Sequence, residues 1–566
     1  MPYLIENCVP TTADQLVDII KGVPPGTTAF EFNSNNLDCI NGSGLAQGFS
    51  VLSASVKSID LKWNSLYKKT GAELAVAFAA LSVTSVDLSS NDLYNKTAAE
   101  LAQAFSAFPR VTSLNISINE LWKKTGAELA QIFASLPPSL NLLGLSSNLL
   151  SNKSDAELVQ AFAAIPATLT TLDLSGNSLN QVAGDELAPI FKSLPRSLSS
   201  LNLGDNKLYQ KTAVELAQAF TALPRLILLS LKFNHLGRKE LNDLISIFNS
   251  LPSSLISLDL SMNSLWEKNG AQLAQAFATL PPSVTSLDLS MNGLGAKTGA
   301  ELALILAALP PNVTSLNLSG NNFFKLTGFE LAQALAALPS TVTSLNLSDN
   351  RLYNKDGAEL AQLFAAIPPT VTSLNLGSNG LGYKRRDDNS KIPEAELAQA
   401  FAALPPTVTS LDLSMNALGT TTGAKLAQFF IALPPTVTSL NLKYNSLDEL
   451  SESDLKQLKG LLPEVRTIYL SERETKLMSQ NKWISLKEIF PNFKNIILLD
   501  DRGNDVIDTK NPEARQFLAW RSGLLREEVP NLKSYAAFFV KNNIDTNQVA
   551  KQLPLEMQEF VNCFDI

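Results

Sequence analysis

The chain has 566 residues, with 45 Lys+Arg against 53 Asp+Glu, one histidine and three cysteines. Its 45% hydrophobic content excludes a chain too polar to bury a core, and its net charge of −8 argues against a nucleic-acid partner, which selects a basic face. Cys8, Cys39 and Cys563 cannot build a disulfide framework, and the lone His235 excludes a His-rich metal site; no cofactor or metal is expected.

Residues 1–26 read as an N-terminal cap in which TADQLVDIIKGV forms a short amphipathic helix. No basic n-region precedes an apolar h-region, so no cleaved signal peptide is expected. No run reaches 18 apolar residues, so no membrane span is expected either. Sequons at Asn115, Asn312, Asn317 and Asn346 fall on or beside strands that neighbouring units cover. Glycans there would obstruct packing, which points to an intracellular, reducing site of action.

From 27 to 462 the chain repeats the pattern L-x-x-L-x-L-x-x-N-x-L. Its asparagine recurs at 35, 64, 91, 119, 148, 177, 206, 234, 263, 292, 321, 350, 379, 416 and 445. Thirteen of the fourteen spacings are 27–29 residues; Asn379 to Asn416 is 37. Within a unit, L-x-L alternates at period two and predicts a short half-buried strand. The asparagine suits a turn, where its short amide satisfies backbone groups. Thr70–Glu73, Thr125–Glu128 and Thr298–Glu301 are capping boxes that open helices, with apolar positions such as Leu101, Phe105 and Phe108 on one face. Pro-Pro or Pro-Arg then stops each helix.

Such a unit cannot bury its apolar face alone, so units stack. Strands stack about 4.8 Å apart and helices about 8–10 Å apart, so the array must curve. The expected fold is an α/β solenoid: a horseshoe of fifteen strand–helix repeats with a parallel sheet on the concave face.

Stacking turns repeat positions into columns. Between the strand leucines stand Asp60, Asp87, Asp173, Asp259, Asp288 and Asp412, with asparagine at 115, 202, 317, 346, 375 and 441. Before the conserved-pattern asparagine stand Trp63, Ile118, Phe233, Met262, Met291, Met415 and Tyr444 among smaller residues. Three of the chain's six methionines lie in this column. A third column carries Tyr67, Tyr94, Trp122, Tyr209, Trp266, Phe324 and Tyr353. Two residues on lies a line of lysines that includes Lys69, Lys96, Lys124, Lys211, Lys239, Lys297 and Lys355. These lysines are expected along a rim, either neutralised by the capping-box glutamates or recruiting an acidic partner. The insertion at 382–396, with Lys384, Arg385 and Arg386, is expected to bulge from one loop as a secondary site.

Residues 463–566 read as a small α/β or mostly helical cap or separate domain. VRTIYLS (465–471) is expected as a last strand, followed by a helix near 474–490 and a hairpin over 494–508. Helices are expected near 511–525, 531–542 and 546–564. LPLEMQEFVNCF (553–564), with Leu553, Pro554, Glu556 and Val561, resembles the first helix of an F-box but stops short of a whole one. Cys563-Phe-Asp565 matches the Cys-x-Asp of bacterial effector ubiquitin ligases, without a histidine to activate it.

The repeat period, with a helix in every unit, resembles the ribonuclease-inhibitor class of leucine-rich repeats over about three quarters of the chain. The regular, Asn/Ser-rich units also resemble the leucine-rich-repeat effectors of Legionella-type bacteria. The resemblance implies a non-enzymatic, monomeric protein-binding scaffold, translocated by a secretion system to engage a host protein in the host cytoplasm. The ligand does not follow from the fold. The alternative is a ubiquitin-ligase adaptor or enzyme regulator with 463–566 as its active module. Binding energy concentrates in a few large side chains, so the expected partner site, on the concave face or its aromatic rim, is Phe233, Met262, Trp266 and Met291, flanked by Lys232, Asp259 and Asp288.

Overall fold

Each L-x-L segment forms a three-residue strand whose partner lies one repeat away. The computed structural model describes residues 2–4, 10–23, 27–182, 186–382 and 394–499. Its eighteen strands, numbered β1 to β18 in chain order, form one parallel sheet. Each pairs with the next in unchanged register: β10 (Ser257–Asp259) sets Leu258 opposite Leu287 and Asp259 opposite Asp288 of β11 (Ser286–Asp288). Fifteen strands, from β2 (Ala29–Glu31) to β16 (Ser439–Asn441), precede the fifteen asparagines. Helices stack behind them, and the wider helix spacing makes the array a curved, open solenoid. The strand leucines and helix Leu/Phe residues, such as Leu258, Leu273 and Phe277, are fully buried in one continuous core.

Two hydrogen-bond ladders join the repeats. The first is the asparagine column, every member of which is 0% exposed. Asn263 Nδ2 donates to the carbonyls of Leu231 (3.0 Å) and Ser261 (3.1 Å). Its Oδ1 accepts the N–H groups of Asn234 (3.2 Å) and Leu236 (3.1 Å) from the preceding repeat. Residues flanking the asparagine adopt left-handed φ, as at Met262 (56°) and Ser264 (57°). This turn leaves the N–H groups of the asparagine itself and of the leucine two residues on without a partner in their own repeat, and the next repeat's asparagine amide accepts both.

The second ladder is the capping-box glutamate. Glu301 Oε2 accepts the N–H of Thr298 at 3.0 Å, while Oε1 accepts the N–H of Gly270 in the preceding helix at 3.0 Å. These bonds hold the Glu301 carboxyl below its ordinary pKa. A Cβ on Gly270 would stand 2.4 Å from Glu301 Cβ, so the glycine permits this approach.

At both ends the period outlasts the motif. β1 (Pro2–Leu4) pairs with β2, although the cap reading placed only a helix there; that helix is Ala13–Lys21. Past residue 462, β17 (Thr467–Ser471) and β18 (Asn495–Leu499) continue the sheet. Of the hairpin expected over 494–508, the first arm is present as β18, which pairs in parallel with β17; the turn and second arm lie outside the described residues. Two short helices, Glu472–Leu477 and Gln480–Ile489, replace the single one expected. The F-box-like helix and Cys563 lie outside the described residues.

Candidate functional site

The concave floor is mostly a closed polar ladder. Asp288 Oδ1 accepts the N–H of Ser290 and Oδ2 accepts Asn317 Nδ2, both at 2.8 Å. Asp259 is held likewise by the N–H of Ser261 (2.9 Å) and the hydroxyl of Ser230 (2.8 Å). These two carboxylates therefore have assigned roles within the floor.

One repeat breaks the floor's pattern at four positions. Leu228 stands where neighbouring strands begin with serine, Ser230 where they carry Asp or Asn, Lys232 where they carry mostly Ser or Gly, and Phe233 before the asparagine. Gly204, in the repeat before, presents no side chain. The result is a groove of about 610 Å³ bordered by Leu228, Lys232, Phe233, Asp259 and Met262. Leu228 and Gly204 were not singled out in the sequence; comparing the strand-start column, where leucine replaces serine, would have found the first.

The expected anchors are not buried. Phe233 is 38% exposed, Met291 52% and Trp266 54%; Met262 is half-buried. Phe233, Met262 and Met291 sit at φ of 54°, 56° and 54°, a conformation that disfavours bulky residues by roughly 1 kcal/mol. Gly176, Ser90 and Gly320 occupy the same column elsewhere, so the backbone does not require size there. Phe233, Met262 and Met291 are thus large, partly exposed side chains at backbone positions that do not require them. Beside them, the Phe233 ring packs 4.8 Å from His235, which meets Tyr209 edge-on at 5.6 Å. Arg238 lies over Tyr209 at 4.8 Å and pairs with Glu267 at 3.3 Å. Burial and Arg238 lower the His235 pKa.

Of the two expectations for the lysine column, neutralisation by capping-box glutamates is met at Lys96, Lys153 and Lys211, and recruitment of an acidic partner along an open rim is corrected. Lys69, Lys96, Lys124, Lys211, Lys239, Lys297 and Lys355 are at most 8% exposed. Each occupies the extended residue before a helix cap, from which its stem turns back across the repeat joint. Lys96 Nζ donates to the Lys69 carbonyl at 2.6 Å and pairs with Glu100 at 2.7 Å; Lys297 Nζ donates to the Trp266 carbonyl at 2.7 Å. These ammonium groups satisfy backbone carbonyls and cannot recruit an acidic partner. The secondary candidates Lys384, Arg385 and Arg386 lie outside the described residues. Among the described residues no cluster of His, Cys, Asp or Glu could hold a metal, and no helix is long and apolar enough to cross a membrane.

The stacked strand–helix units and their asparagine ladder define a repeat scaffold, and comparison with known proteins agrees. Family models for the leucine-rich repeat match residues 168–194, 281–303 and 405–427. The leucine-rich repeat-containing protein LegL7 of Legionella pneumophila is 34% identical; the match covers 61% of this chain and 96% of that one, with a TM-score of 0.48. Rad7, solved in complex with Elc1 in yeast, shows 19% identity over 65% of this chain and 82% of its own, TM-score 0.38. TLR13, solved with a single-stranded RNA, shows 16% over 79% and 59%, TM-score 0.40. No curated protein matches the chain. The chain belongs to the leucine-rich repeat proteins, whose solenoids serve as protein-binding scaffolds.

Proposed function

We propose that this chain is a non-enzymatic scaffold that binds a protein partner on its concave face, around Phe233, Met262, Trp266 and Met291, and that it is a bacterial effector acting on a host protein in the host cytoplasm. The observation that carries the binding reading is the set of large, partly exposed side chains Phe233, Met262 and Met291 at left-handed backbone positions, the first two of which border the floor's groove. Interfaces are anchored by few large apolar groups, and the rest of the floor offers small, internally bonded polar ones. The effector reading is supported by the 34% identity to a Legionella protein. The cap reading of 463–499 is supported by β17 and β18, which extend the sheet.

Affinity capture from host lysate, read by mass spectrometry, tests this. The parent is expected to retain a partner that the Met262→Glu, Met291→Glu double variant loses at an unchanged thermal midpoint. Equal capture by both sinks the site. A reporter fused to the chain, expressed in a bacterium with a host-directed secretion system, is expected to reach the host cytoplasm; retention in the bacterium removes the effector reading.

A further inference from the structure

Three lysines stand in the floor column that is otherwise mostly serine, and two of them have partners. Lys62 Nζ pairs with Asp60 at 2.8 Å, and Lys443 Nζ lies 4.6 Å from the centre of the Tyr444 ring. Lys232 differs. Its own repeat offers Ser230 in place of an acid, and both oxygens of the neighbouring Asp259 are engaged by Ser261 and Ser230. Among the described residues no carboxylate lies within ion-pair distance of its Nζ, although Lys232 is exposed and borders the groove.

That vacancy constrains what can cover the groove. An apolar partner surface closing over Phe233, Met262 and Leu228 would strip water from an unpaired ammonium, a large penalty. A partner that brings its own carboxylate avoids this and rejects competitors lacking one. Asp205, the groove's other exposed charge, then remains for an N–H donor of the same segment. Leu228 and Ser230, at the two ends of the strand Leu228–Ser230, and Lys232, in the turn just past it, border the concave face over about 13 Å. An extended segment matches that run, because its alternate side chains fall at the same spacing as Leu228, Ser230 and Lys232.

Resting on the concave-face reading above, we propose that the groove between Leu228 and Met262 receives an extended segment of a partner protein in which an Asp or Glu side chain pairs with Lys232 while an adjacent large apolar side chain lies on Phe233 and Met262. Panning a phage-displayed random peptide library on the full chain tests this. Enriched peptides are expected to carry an acid beside a large apolar residue. Their affinity is expected to fall at least about 10-fold on Lys232→Glu and to persist on Lys232→Arg, with thermal midpoints unchanged. Panning on Lys232→Glu is expected to select Lys or Arg in place of the acid. Enrichment without an acid, equal binding to Lys232→Glu, or no enrichment overturns the proposal. The concave-face reading fails separately, if the Met262→Glu, Met291→Glu variant still captures the lysate partner. Loss of that partner there, with peptides indifferent to Lys232, leaves the scaffold standing and removes only the carboxylate.

Discussion

The N–H of Asn263 donates to Oδ1 of Asn292 across a repeat boundary at 2.8 Å, and Asn263 extends the same service to the repeat before it. Its side chain answers two backbone donors and two backbone acceptors, all buried. Asn263→Ala leaves these groups unpaired where water does not reach. At about 1–3 kcal/mol for a stranded buried group, the loss should be about 3–5 kcal/mol, large for one substitution. Urea denaturation reads it. A loss below about 1 kcal/mol would show that the column is ornamental to stability.

Gly270→Ala should destabilise, although alanine is the better helix former by about 1 kcal/mol. The added Cβ meets Glu301 Cβ at 2.4 Å and Cα at 2.7 Å, so the helices must part and the Gly270–Glu301 bond lengthens. Ala98 occupies this position in another repeat, so the solenoid accommodates the change, and the cost should be about 1–2 kcal/mol. A rise in midpoint contradicts the close-approach argument.

Glu474 sits at the C-terminal end of the asparagine ladder, accepting the N–H groups of Tyr444 (3.0 Å) and Ser446 (2.5 Å). Burial raises its pKa from 4.5 to about 7. A folded-state value above the unfolded one means protonation favours folding. Its stabilising effect is complete below about pH 4.5 and is lost as pH rises through about 7. Glu474→Gln cannot titrate, so its midpoint relative to the parent should rise between pH 5 and pH 8. A flat difference across that range refutes the assignment. The capping-box Glu100, lowered to about 2 mainly by Lys96 and Thr97 against burial, acts oppositely: its stabilisation is lost only as pH falls from about 4.5 through 2.

Much of this was legible because a repeat exposes its own rules. The L-x-L strands, Thr298–Glu301 caps and fifteen asparagines appear where the period put them. Side-chain direction was less legible. A lysine column reads as a rim, and only the extended backbone at Lys297, φ −85° and ψ 157°, shows why the stem turns inward. The ends were legible only in part: the helix at Ala13–Lys21 and the strand at Thr467–Ser471 were expected, whereas the parallel pairings beyond them follow the period and not the motif. Pro2 pairs with Ala29 and Thr467 with Asn495, spacings of 27 and 28 residues that match the repeat without its asparagine. The groove was half visible: Phe233 and Lys232 departed from their columns, while Gly204 acts through an absent side chain that no hydrophobic pattern marks.

Met291→Asn separates stability from binding by driving them apart. Met291 is 52% exposed at φ 54°, so the fold loses little buried area when its side chain shortens. Asparagine tolerates left-handed backbone better than methionine, which offsets that loss. The thermal midpoint should hold or rise slightly. Binding should fall at least about 10-fold, since an anchor that buries further area on docking contributes about 1.4 kcal/mol or more. A stabilising change that removes binding cannot be explained by misfolding, which a Met→Glu substitution leaves arguable. If Met291→Asn instead lowers the midpoint by several degrees, the side chain is holding the fold, and the column before the asparagine belongs to the core. If the midpoint holds and affinity is unchanged, the anchor lies nearer Phe233 and Leu228, and Phe233→Asn should then show the loss.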